Sequence, residues 1–115
     1  MKIVFSTQGK DWDAKIDPRF GRAAGFLLFD KETGSLHWHS NEQNINAPHG
    51  AGIQAGQNVA KLGADVVITG HVGPKAFSTL NNAKIKIFTT EANITIKEAY
   101  ERFKQGKLSE MKTAL

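Results

Sequence analysis

Apolar residues along the chain follow two spacings, and the switches between them predict alternating strands and helices. Short apolar or alternating runs are typical of strands, whereas apolar residues three and four apart are typical of helices. Val66-Val67-Ile68 is apolar without a break, which predicts a central strand covered on both faces. The predicted strands cover residues 2–6, 25–30, 36–40, 66–68 and 85–88, and the predicted helices residues 51–62, 74–82 and 96–105.

Several element boundaries carry their own signals. Gly34 is expected at a positive φ in the hairpin turn after residue 30, and Gly63 just past the end of the first helix. Pro74 suits the first turn of the second helix, where its missing N–H is not needed. Thr95 and Glu98 have the spacing of a capping box at the start of the third helix.

The resulting order, β-β-β-α-β-α-β-α, predicts an α/β fold with helices packed on a mixed five-stranded sheet. Three strands form a meander, and the last two run parallel to the first through right-handed crossovers. If the first and fourth strands are neighbours, their carboxyl ends form a topological switch point, where ligands bind in open α/β sheets. The loops after residues 6 and 69 and the helix start near residue 50 would then share one crevice.

This order also fits ribonuclease-H-like folds, whose nucleases hold metal ions with clustered carboxylates on the central strands. Here the first strand has no carboxylate, and Asp11, Asp13 and Asp17 lie in the loop beyond it. The sequence also has no phosphate-binding P-loop and no nucleophile-elbow serine. We therefore expect no catalytic activity.

The long loop between the first two strands ends in Asp17-Pro18-Arg19-Phe20-Gly21-Arg22. A structureless stretch of about 15 residues is uncommon in a small domain and is usually functional or mobile. Arg19 and Arg22 could present positive charge to a ligand, while Gly21 permits the turn and Phe20 packs beneath the loop. The alternative is a loop with a core phenylalanine and solvated arginines.

Two histidines lie in glycine-framed loops before helices. His49 and Gly50 open the first helix, and Gly70, His71 and Gly73 lie between the fourth strand and the second helix. Free N–H groups at helix starts favour anions, and neutral imidazole is the best transition-metal ligand of a cysteine-free chain. The alternative for both loops is tight turns with surface histidines. His37 and His39, which share a strand face, are a weaker metal site, since two exposed polar residues explain the pattern equally well.

Composition bounds these interpretations. The 115 residues suit one domain over residues 1–115, with 107–115 expected to be a flexible tail. Without cysteine, disulfides and thiolate ligands are excluded, which fits a cytoplasmic location. No apolar run approaches the roughly 20 residues of a membrane span, so no membrane association is expected. The net charge of +4 favours anionic partners in general, but the dispersed lysines do not indicate nucleic acid.

Three motifs occur along the chain in this order: Phe20-Gly21-Arg22-Ala23, then His49-Gly50-Ala51-Gly52, then Gly63-Ala64-Asp65-Val66-Val67-Ile68 leading to Gly70-His71-Val72-Gly73-Pro74-Lys75-Ala76. Together they resemble the dinitrogenase iron-molybdenum cofactor family, which includes NifX, NafY and the C-terminal domain of NifB. The resemblance covers nearly the whole chain. Two departures stand out, because Ala24 replaces a common proline and Lys84 replaces a common glycine.

The resemblance implies a ribonuclease-H-like fold without nuclease activity, and transient binding of an iron–sulfur or iron–molybdenum-type cluster, such as a nitrogenase cofactor precursor. The partners would be the cluster and its donor and acceptor proteins, with His49 and His71 as metal ligands. The cofactor contacts would come from Arg19, Phe20, Gly21, Arg22, Gly50, Gly70 and Gly73. Two alternatives stay open, namely a small anion- or nucleotide-binding regulatory domain and a protein-interaction module.

Overall fold

A six-stranded mixed sheet lies between two layers of helix in the computed structural model, which describes residues 1–114. The sheet order is β3-β2-β1-β4-β5-β6. The strands are β1 (Lys2–Thr7), β2 (Gly25–Asp30), β3 (Ser35–Ser40), β4 (Val66–Thr69), β5 (Lys86–Thr89) and β6 (Ser109–Glu110). The helices are α1 (Glu42–Ile45), α2 (Ala51–Lys61), α3 (Pro74–Asn82) and α4 (Ile96–Lys104), with a 3₁₀ helix at Phe20–Arg22. None of these helices has the length and apolar character needed to cross a membrane.

The mixed α/β architecture agrees with the sequence prediction, and β1 and β4 are neighbours, as the predicted switch point requires. β1 runs antiparallel to β2 and parallel to β4, and β4 runs parallel to β5. The predicted count of five strands was wrong. Ser109 pairs with Thr89 and Glu110 with Phe88, so part of the segment expected to be a tail forms a sixth strand. Leu115, the last residue of that segment, lies outside the described residues. The ribonuclease-H-like classification stays a prediction.

The central strands are apolar on both faces because each face supports its own core. On one face, Val4 and Val67 pack under α2 and α3. On the other, Phe5 and Ile68 pack under α4 and the loop that carries Trp12. Trp12 contacts Phe29 in the edge-to-face geometry that aromatic pairs prefer, with ring centroids 5.1 Å apart, and its ring is tilted against that of Tyr100 at 5.7 Å.

The predicted boundary signals mostly hold. Gly34 and Gly63 have φ of 75° and 79°, and Pro74 occupies the first turn of α3. The Thr95 side chain accepts the Glu98 N–H at 3.1 Å, but the Glu98 carboxylate accepts from the Arg102 guanidinium instead of returning to Thr95. Only half of the capping box therefore forms.

The small residues of α2 serve helix–helix packing more than packing on the sheet. A Cβ at Gly52 would lie 3.0 Å from the Cβ of Ala76, and one at Gly56 would lie 2.9 Å from Cγ2 of Thr79. α2 and α3 therefore pack closely, and their amino-terminal ends lie near each other at the carboxyl end of β4.

Candidate functional site

A crevice lies at the predicted switch point, where the 3₁₀ helix meets the starts of α2 and α3. Its larger part has a volume of about 380 Å³ and its mouth about 320 Å³. The three loops predicted to converge therefore do so. The two parts share Phe20, Gly21, Gly50, Gly52 and Gly73; Ile53, Pro74, Lys75 and Ala76 line the larger part, and Arg19, Arg22, Ala51 and His71 line the mouth.

Two helices present their amino-terminal ends to this crevice without side-chain caps. The N-cap residues are Gly50, at φ 78°, and Gly73, at φ −70°, and at neither helix start does a backbone N–H donate to a capping side chain. The first N–H groups of a helix have no partner within the helix, and the helix dipole adds about half a positive charge there. The larger part of the crevice is therefore a favourable environment for an anion.

The loop from Asp17 is anchored at the carboxyl ends of β1 and β4. The Ser6 hydroxyl donates to the Asp17 carbonyl at 2.6 Å and lies 2.7 Å from the Thr69 hydroxyl. The chain then passes so close to β4 that a Cβ at Gly70 would lie 2.6 Å from Cα of Pro18. Gly70 is thus needed for this close approach and does not line the crevice.

Arg19 is held at the mouth of the crevice by a buried carboxylate. Its guanidinium donates to both oxygens of Asp17 at 3.2 Å, and its backbone N–H donates to one of them at 3.0 Å. The Arg19 side chain is 66% exposed although that of Asp17 is only 2% exposed. These hydrogen bonds, and then the charge of Asp17, raise the pKa of Arg19 above its usual value. Arg19 therefore presents a fixed positive charge to solvent.

Arg22 and Phe20 make contacts that hold the loop in place. The Arg22 guanidinium donates through Nη1 to the carbonyls of Asn44 and Ile45, at 3.2 and 3.0 Å, where α1 ends. No carboxylate within residues 1–114 forms an ion pair with it. Phe20 is 1% exposed and packs on Phe26 with ring centroids 5.3 Å apart, so it supports the loop from below.

The two candidate metal ligands occupy different positions. His71 is exposed, lines the mouth, and accepts the Phe20 N–H with its backbone carbonyl at 3.3 Å. His49 is exposed just before the N-cap of α2 and is not among the residues that line the crevice. His37 and His39 lie on the edge strand β3. Within residues 1–114, no three His, Asp or Glu side chains are grouped to hold a metal ion.

The ionisable side chains that line the crevice are all basic or histidine: Arg19, Arg22, Lys75 and His71. A substituent at Gly50 or Gly73 would meet nothing within 4 Å, so the backbone is open to a bulky ligand there. The geometry is that of a shallow anion site with one imidazole at its mouth.

Sequence reasoning missed the residues that hold the crevice wall. Asn41 is 1% exposed, and its amide donates to the carbonyls of Gly21 and Ala23 at 3.1 and 3.0 Å. Asn44 donates in turn to Asn41 at 2.7 Å. An Asn three residues before another Asn in a polar stretch is a weak helix-start signal, and nothing in the sequence shows which carbonyls the amides meet.

Comparison with known proteins gives relatives that match most of this chain. An uncharacterised protein of Methanocaldococcus jannaschii is 31% identical over 97 residues, which is 82% of this chain and 80% of the relative. The apo form of the orange protein from Desulfovibrio gigas is 40% identical with a TM-score of 0.93, over 97% of this chain and 93% of that one.

A putative NifB protein from Thermotoga is 32% identical with a TM-score of 0.86, over 99% of this chain and 96% of that one. The family model described as dinitrogenase iron-molybdenum cofactor matches residues 1–106, which include the 3₁₀ helix, both helix starts and His71. The chain therefore belongs to the dinitrogenase iron-molybdenum cofactor family.

Proposed function

We propose that the protein is a non-catalytic carrier that binds an anionic, sulfide-rich cluster of the iron–sulfur or iron–molybdenum type in this crevice. The observation that carries the proposal is the meeting of two uncapped helix starts in one crevice whose ionisable residues include no acid. Backbone N–H groups hydrogen-bond to anions at helix starts, and cluster sulfides accept such bonds.

The residues present fit a cargo that is held loosely and passed on. His71 supplies a direct metal ligand at the mouth, and His49, just before the start of α2, is a second candidate. Arg19 offsets cluster charge from its fixed position over Asp17. With no cysteine and no group of three metal-ligating side chains in residues 1–114, hydrogen bonds and charge supply most of the affinity. Few bonds between the metal and protein ligands then need to break when the cluster moves to an acceptor protein.

The relatives support a cofactor-related role. The family is described by the iron–molybdenum cofactor of dinitrogenase, and one similar structure is titled a putative NifB protein. Another is described as an apo form. These descriptions concern the relatives, and we extend them to this chain because the match covers the helix starts that form the crevice.

Anaerobic titration with a synthetic iron–sulfur donor cluster tests the proposal. After gel filtration, the wild-type protein should keep visible absorption and protein-bound iron. His71→Ala should reduce retention more than His49→Ala, because only His71 lines the crevice, and the edge-strand variant His37→Ala should retain iron like the wild type. No iron on the wild type would refute the carrier function, and equal retention by all variants would refute the ligand assignment.

A second function uses the same crevice without metal. The uncapped starts of α2 and α3 would also bind phosphate groups, which makes a small anion- or nucleotide-binding regulatory domain the alternative. It predicts that ATP or phosphate raises the melting temperature, that this rise survives His71→Ala, and that the donor cluster gives none. Stabilisation by the cluster but not by phosphates would favour the carrier.

A further inference from the structure

Two histidines that the proposed carrier function does not use lie on the edge strand β3. His37 and His39 alternate with Trp38, so their side chains project from the same face of the sheet. The pairing with β2 identifies that face, because His37 lies opposite Leu28 and His39 opposite Phe26, and both partners belong to the core under α2 and α3. The two imidazoles therefore lie beside this core, at the outer edge of the sheet.

The backbone that carries the two histidines is held in a regular conformation. All six residues of β3 pair in register with β2. Between the histidines, on the opposite face, the Trp38 ring lies so close over Gly25 that a Cβ there would lie 2.2 Å from Cη2 of the ring. Since a slip by one residue would turn Trp38 away from Gly25, the register is fixed and both imidazoles stay on one face.

The spacing of the pair suits a metal chelate. Residues two apart in a strand have Cα atoms about 6.6 to 6.8 Å apart. Two imidazoles at this spacing can each place one nitrogen about 2.0 to 2.1 Å from a single ion. His37 is exposed and His39 half-buried. Neither imidazole forms a hydrogen bond or an ion pair within residues 1–114, so both are available to an ion from solvent.

We propose that His37 and His39 together chelate one divalent ion of the copper, nickel or zinc class, at a site outside the crevice. Imidazole is a preferred ligand of these ions, whereas Mg²⁺ and Ca²⁺ prefer oxygen ligands. With two protein ligands, water fills the other coordination positions, so the ion stays exchangeable. Copper should bind more tightly than nickel or zinc, as it does at nitrogen sites in general.

The proposed site is separate from the crevice but near its wall. β3 and β1 both run antiparallel to β2, so the carboxyl end of β3 lies at the same edge of the sheet as the crevice. Phe26, opposite His39, packs on Phe20 with ring centroids 5.3 Å apart, and Phe20 lines the crevice. Neither His37 nor His39 lines the crevice itself. The metal site therefore does not rest on the proposed carrier function.

A titration of ¹⁵N-labelled protein with zinc chloride, followed by amide chemical shifts, tests the site. We expect shifts concentrated at residues 36–40 and at residues 26–28 of the paired strand. Magnesium chloride at the same concentrations should give none.

The matched variant His39→Ser/Ser40→His keeps the composition and the charge but places one imidazole on the opposite face of the strand. It should bind zinc about tenfold more weakly or worse, because a second ligand held on the same face acts at a high effective concentration. His37→Gln, at an exposed position, should weaken binding as much. Dispersed amide spectra of both variants check that they fold.

Equal zinc affinity of the wild type and both variants would show that the imidazoles bind independently, and would overturn the chelate. So would shifts that map away from β3, similar shifts with magnesium, or no zinc binding by the wild type. Donor-cluster retention by both variants should match the wild type. Zinc binding at β3 without cluster retention by the wild-type protein would leave the metal site standing and refute only the carrier function.

Discussion

The backbones of Gly21 and Gly52 lie in direct contact, since a Cβ at Gly21 would lie 2.9 Å from both the Cα and the N of Gly52. This contact joins the loop after β1 to the first turn of α2. Any other residue at position 21 would push the two apart, so the crevice wall depends on the absence of a side chain there.

Gly21→Ala should therefore destabilise the fold by about 1 to 3 kcal/mol, the usual cost of overpacking a close contact. The neighbouring atoms are backbone and cannot rotate away, so the strain must move the 3₁₀ helix or the start of α2. Urea denaturation followed by far-UV circular dichroism measures the change. An unchanged midpoint would contradict the close approach.

Gly73→Ala should reduce cluster retention without changing the stability of the fold. Gly73 has a φ of −70°, which alanine adopts freely, and a Cβ there would meet nothing within 4 Å. The weaker helix cap and the less flexible unfolded chain offset each other, so the unfolding free energy should change by less than about 0.5 kcal/mol. The new methyl group lies at the crevice, and cluster retention should fall. Full retention would place the cargo elsewhere.

Asn41→Asp tests the amide that holds the crevice wall. The substitution keeps the shape but puts a second oxygen against the carbonyls of Gly21 and Ala23, which now accept from the amide. Loss of two buried hydrogen bonds and burial of a charge should cost at least about 2 kcal/mol. Asn46→Asp, at an exposed position, is the matched control. Comparable stability of the two variants would show that the amide is not needed.

These sites differ in how far sequence could predict them. The parallel direction of β4 relative to β1 was predicted from the alternation of strands and helices, but their pairing was only a condition of the predicted crevice. The two strands do pair, and the loops at Gly21, Gly50 and His71 converge at their carboxyl ends. Local signals at Pro74 and Thr95 gave helix starts, because caps depend on residues close in sequence.

Contacts between distant segments carried no such signal. Ser109 and Glu110 form β6 only because β5 offers an open edge, and nothing in their own polarity indicates a strand. The four-residue α1 lacks an apolar stripe. The sequence suggested that the charge of Arg22 was free to meet a ligand. Its hydrogen-bond acceptors are the backbone carbonyls of Asn44 and Ile45, and because every residue has such a carbonyl, no residue type marks them in the sequence.

Arg19→Gln gives a pH test of the mouth of the crevice. The hydrogen bonds and charge of Asp17 raise the pKa of Arg19 above its usual value. A group whose pKa is raised on folding contributes stability that is complete below its unfolded value and is lost only as pH rises through the folded value. The contribution of Arg19 to the difference in unfolding free energy between wild type and variant should therefore be constant from about pH 6 to pH 9. Exposure of the guanidinium keeps that difference small.

Donor-cluster retention should nevertheless fall in Arg19→Gln, because the fixed charge at the mouth is lost. Lys10→Gln removes a similar charge from a position over the Trp38 ring and is the control. Equal retention by the two variants would show that Arg19 does not contact the cargo.

Lys84→Gly should stabilise the protein. Relief of the left-handed strain at φ 62° exceeds the entropy that glycine adds to the unfolded chain, so the unfolding free energy should rise by about 0.5 to 1 kcal/mol. Asn93→Gly is the matched control, since Asn93 also has a positive φ, 70°. Asparagine adopts the left-handed region more readily than lysine, so Asn93→Gly should raise the unfolding free energy by less. Urea denaturation of the wild type and both variants measures these changes, and an unfolding free energy that does not rise in Lys84→Gly would contradict the strain at this turn.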